Sequence, residues 1–141
     1  MAFIHVRGPA KNEAFLKIAS TPIAAGAAVA FTGAGFVAQA IVASTRLAGI
    51  SLKAVASTDA DYADNSVFPV IVPSEDDVFE ADVSGTATQA NVGKQYDITT
   101  SARSVNLSGT TYKTVTVVGF ISSSKVLVKF NGNYAFANKA N

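Results

Sequence analysis

The chain has 141 residues, enough for one domain that buries roughly two-thirds of the surface its unfolded form exposes, so it needs no covalent or metal staple. It has no cysteine, which excludes disulfides, thiolate nucleophiles and cysteine zinc sites. Eleven basic residues against ten acidic give a net charge of +1, without the excess expected of a nucleic-acid binder. The charged fraction of 15% is low against the ~25% of ordinary soluble domains, so apolar patches are expected on the surface, and such patches mark interfaces.

The first residues, with Gly8 and Pro9 among Arg7, Lys11 and Glu13, show no sustained period of 2 or 3.6. Residues 1–20 therefore read as an extended N-terminal arm. Its apolar side chains, Phe3, Ile4, Val6, Phe15 and Leu16, together with Arg7, are candidate partner-binding groups. Ile18 to Thr45 carries no charge, but Pro22, Gly26, Gly33, Gly35 and many alanines make it a poor membrane span, and no membrane association is expected.

The β domain is expected over residues 21–136. Ala27 to Phe31 reads as a strand, followed by a turn at Thr32 to Gly35. Phe36 to Ser44 suits a strand or a short helix, and strand is preferred because the glycines precede it and its neighbours are strand-like. Leu47 to Ser57 is expected as a strand with Ile50, Leu52, Ala54 and Ala56 on the buried side, and residues 58–66 as a loop. Val67 to Val72 is the next strand. Pro69 lacks a ladder donor, which places it at a sheet edge or strand start and makes Val67 and Val70 candidate contacts with a partner.

Val67 to Ile98 is the centre of the reading. Its second strand alternates Phe79, Ala81 and Val83 against Glu80, Asp82 and Ser84, the pattern of a half-buried strand. Beyond it lie a short strand at Ser104 to Leu107, a turn at Ser108 to Thr110, a long strand within Tyr112 to Ile121, and a hairpin partner at Val126 to Phe130. Asn131-Gly132 signals one more turn, with a short strand around Tyr134 to Phe136. Residues 137–141 read as a polar tail. The fold class is mainly β, a small single-domain barrel or sandwich.

Chemistry is sparse. Gly33-Ala34-Gly35-Phe36-Val37-Ala38 has the G-x-G-x-x-A spacing of a dinucleotide turn, but no acidic residue follows about twenty positions on, and it reads as a plain turn. Asp59, Asp61 and Asp64, with Asp76 and Asp77 beyond, resemble the start of a calcium loop whose glycine and distal glutamate are missing, so a solvated acidic loop is expected. His5, the only histidine, sits in the arm and is unsuited to a Ser-His-Asp relay. No catalytic residue, cofactor or metal ligand is assigned, and the expectation is a nonenzymatic protein. Tyr62, Tyr96, Tyr112 and Tyr134 are expected to pack in the core and its rim, with a platform for stacking on sugars or binding a partner as the alternative.

The Pro22-Ile23-Ala24-Ala25-Gly26 turn, Leu47-Ala48-Gly49-Ile50, Val70-Ile71-Val72-Pro73, Phe79-Glu80-Ala81-Asp82-Val83, and Val92-Gly93 before Tyr96-Asp97-Ile98 give a layout that resembles the head decoration, or capsid cement, proteins of tailed bacteriophages. The resemblance covers roughly Ile18 to Phe130. It implies a virion protein on the outer capsid surface, bound to the major capsid protein, commonly as a homotrimer, that reinforces the shell. The alternative is a host-surface adhesin or carbohydrate-binding module of the phage particle.

Overall fold

A computed structural model describes residues 1–44 and 46–131. The described chain is almost wholly β: β1 (Phe3–Arg7), β2 (Lys11–Leu16), β3 (Ala28–Phe31), β4 (Val37–Gln39), β5 (Leu47–Ser51), β6 (Val67–Val72), β7 (Val78–Ser84), β8 (Gln95–Ile98), β9 (Val105–Asn106), β10 (Val115–Ser122) and β11 (Lys125–Phe130), with one 3-10 turn at Gln89–Asn91. Strands β7, β11, β10, β8 and β9 form a ring that closes where β9 pairs parallel with β7, at Val83–Val105 and Ser84–Asn106. This is a five-stranded barrel, and closure removes most of its sheet edges. β1 adds to β7 alongside it. A second sheet runs β2-β6-β5-β3-β4, and its two outer strands meet at one parallel bridge, Lys17–Val37.

The middle of the second sheet is buried on both faces. One face, through Ala28, Leu47, Ile50 and Ile71, joins the barrel interior and the rings of Phe3 and Phe79, each edge-on to Phe130. The other collects Ile23, Val29, Val37, Ala48, Val55, Phe68 and Val70 into a second core. The strict alternation expected over Leu47 to Ser57 therefore fails. Every residue of β5 is buried, and the pairing with β3 skips Ala48, so that Leu47 and Ile50 face the same way. Gly49 makes this possible: a Cβ there would lie 2.0 Å from the Ile71 carbonyl oxygen. The strand ends at Ser51, and the expected Phe36 to Ser44 strand shortens to β4.

The N-terminal arm is corrected. Residues 3–16 form β1 and β2, each hydrogen-bonded into a different sheet, and Phe3 is in the main core. The expectation that Pro69 marks a sheet edge or a strand start is corrected too, because β2 and β5 flank β6 and Pro69 is its third residue. Pro69 is tolerated there because it lies opposite Leu52, just beyond the end of β5, where its carbonyl accepts from Leu52 N–H at 3.1 Å and its missing donor interrupts no ladder. The expected strand at Tyr134 to Phe136 and the tail at 137–141 lie outside the described residues.

Candidate docking surface

β2 and β6 pair in register, with Leu16 opposite Val67 and Ala14 opposite Pro69. Directly opposite residues share a face, so these four side chains stand together, on the side that Ile71 presents to the barrel. Leu52 sits beside Pro69 through its backbone hydrogen bond. The barrel covers the Ile71 end of this face and leaves the Val67 end open: Leu16 is 47% exposed, Val67 61% and Leu52 43%. The result is an apolar face spanning the ends of three strands, next to the edge of β2 that no strand among the described residues pairs with.

Of the sequence-predicted contacts, the structure thus brings Leu16 and Val67 together. It does not bring in the others. Ile4 and Val6 are exposed on β1, in the other sheet, and Arg7 is exposed beside them. Phe3 and Val70 are buried in separate cores, which withdraws both from any partner. Phe15 is half-buried, packed edge-on against Phe31 at 5.1 Å.

Of the ionisable groups that the sequence offered for chemistry, His5, Asp59, Asp61 and Asp77 have side chains engaged in the architecture. Asp77, almost fully buried, accepts hydrogen bonds from Ala10 N–H (3.0 Å), Ser74 N–H (2.8 Å), Ser74 Oγ–H (3.0 Å) and His5 Nε2 (2.9 Å). Burial pushes its carboxyl upward, but the bonds from Ala10, Ser74 and His5 outweigh this and hold it below the usual carboxylate range. The aspartate lies between the serine and the histidine. A nucleophilic relay needs the histidine in the middle, so this trio cannot activate Ser74. What it does is join the β1–β2 corner to the β6–β7 corner, the two places where the chain crosses between sheets. Gly8 permits the approach, since a Cβ there would fall 2.4 Å from Asp77 Oδ1.

Asp97 is similarly enclosed, accepting from the backbone N–H groups of Thr111, Tyr112 and Lys113. That loop delays the long strand, which begins at Val115. Lys17 is fully buried, its Nζ donating to the carbonyls of Tyr62 (3.2 Å) and Asp64 (2.5 Å), so it anchors the acidic loop from inside. Within that loop Asp59 accepts from Ala56 N–H, while Asp61 faces Lys53 and Ser66. Among the described residues no three acidic or histidine side chains converge as metal ligands. Addition of EDTA is accordingly expected to leave the melting temperature unchanged; a drop of several degrees would mean that a bound cation stabilises the native state.

Tyr96 is buried in the main core with its hydroxyl held by Asn91 Nδ2 at 2.8 Å, and Tyr62 packs on the second core, so these two tyrosines do not share a platform. Tyr112 is exposed, and Tyr134 lies outside the described residues. No protein-family model matches the chain, and no curated protein matches it.

Proposed function

We propose that this is a structural protein, a rigid β-barrel that docks on a larger assembly through the uncovered face formed by Leu16, Val67 and Leu52. The assembly that the sequence resemblance favours is the head of a tailed bacteriophage, with this chain a decoration protein on the outer surface of the major capsid protein, present as a homotrimer and acting without a cofactor. The observation that carries the reading is the apolar face itself. It is set on strands tied to two cores, and Leu16 and Val67 add large aliphatic groups that belong to neither core among the described residues. A firmly held apolar surface serves attachment, and repetition over a lattice turns a modest contact into a lasting one.

Cosedimentation with undecorated capsids tests this. Each large aliphatic side chain contributes about 1.5–3 kcal/mol on going from full exposure to full burial, and about half of each is already covered, so the double variant Leu16→Asp, Val67→Asp should lose roughly ten- to a hundredfold in capsid affinity. Both residues are exposed, so the melting temperature should change little. Undiminished occupancy by the folded variant would overturn the proposal.

A further inference from the structure

The outer edge of β2 carries a self-complementary code. Lys17 N–H donates to the Ser66 carbonyl, and the β2–β6 register continues to that pair. The backbone groups of the alternate residues Lys11, Glu13 and Phe15 therefore turn toward β6, while those of Asn12 and Ala14 turn outward. Among the described residues none pairs with Asn12 or Ala14 on that side; β4 meets the strand line only at Lys17. Beside this edge, Lys11, Glu13, Phe15 and Val72 line an open cavity of about 360 Å³.

We propose that the occupant of this edge is a second copy of the same chain, paired antiparallel through β2 about a two-fold axis, with Asn12 opposite the second copy's Asn12. Three symmetric registers are open to the strand, and the charges choose among them. Centred on Glu13, the pairing sets two carboxylates directly opposite each other, which is repulsive. Centred on Ala14, it sets Glu13 against Phe15 and leaves both charges uncompensated. Centred on Asn12, it sets Lys11 against Glu13 twice, one ion pair on each side of the axis, with the side chains entering the cavity. Charges on an edge strand ordinarily repel unwanted strands. Here the Lys-x-Glu order admits one partner in one register, its own image, and such reciprocity is what an isologous contact requires.

The contact exchanges two ladder hydrogen bonds at Asn12 and covers little area, so it is weak in dilute solution and effective where copies are held at neighbouring positions. It differs from any three-fold association and does not depend on the identity of the docking partner.

The chain's lack of cysteine gives a clean test. Hydrogen-bonded antiparallel neighbours have Cα atoms about 5.5 Å apart, within the disulfide range. Full-length Asn12→Cys under mild oxidation should give several-fold more disulfide dimer than Ala14→Cys, whose thiols the register sets far apart. Adding Lys11→Glu should suppress that dimer, and the charge swap Lys11→Glu with Glu13→Lys should restore it. In the unsubstituted chain, a zero-length carbodiimide should yield an interchain Lys11–Glu13 amide by mass spectrometry. Equal dimer from the two cysteine positions, indifference to Lys11→Glu, failure of the swap to restore, or absence of the interchain amide would each overturn the proposal. Capsid cosedimentation is a separate readout, so failure here leaves the docking face standing.

Discussion

Asp77→Ala is expected to lower the melting temperature by about 10–20 °C. The substitution leaves the Ala10 and Ser74 amides and the half-buried His5 ring without the buried acceptor they surround. Breaking a buried charged network by removing one partner costs about 3–5 kcal/mol, and for a chain of this size each kcal/mol moves the midpoint by a few degrees. The pH dependence gives a second signature. The folded carboxyl lies below its ordinary value of about 3.9, so its stabilisation is fully present above that value and is lost as pH falls through the folded one. Thermal melts of the parent and of Asp77→Asn should therefore differ most near neutral pH and converge in acid. A constant difference from pH 7 down to the most acidic condition would show that the stabilisation does not come from the ionised carboxylate.

The importance of Asp77 was hidden because a turn rich in acids reads as solvated. The one local signal is Ser74-x-x-Asp77, the spacing at which an acid reaches back to a serine amide. Strands β6, β7 and β11 were legible, since their buried residues alternate against polar or exposed ones or flank clear turns. β2 was not, because it buries none of its residues fully and so offers no periodic mark. In β1 the pairing skips Val6, which breaks the period after Phe3 and His5. β5 failed for the opposite reason, with both faces buried. The docking face was visible only as separate residues. Leu16 and Val67 stand out as apolar, but their adjacency depends on a register joining strands some fifty residues apart, which no local pattern encodes.

Removal of residues 1–20 is expected to abolish cooperative folding, the reverse of what an extended arm would allow. The deletion takes Phe3 from the ring cluster with Phe79 and Phe130, His5 and Ala10 from Asp77, and Lys17 from the carbonyls of the 58–66 loop. It also strips β1 from β7 and β2 from β6, opening two strand edges and uncovering Phe68 and Val70. Phe3→Ala alone should cost about 3–5 kcal/mol for the cavity it leaves, against a total stability of about 5–15 kcal/mol for a domain. The point variant should therefore fold with a melting temperature lowered by about 10–20 °C, while the truncated chain has too little left to balance the conformational entropy of ordering its remaining strands. Circular dichroism melts and amide dispersion in NMR spectra distinguish the outcomes. A truncated protein with a sharp thermal transition and dispersed amides would show that the first two strands are an accessory to a body that folds without them.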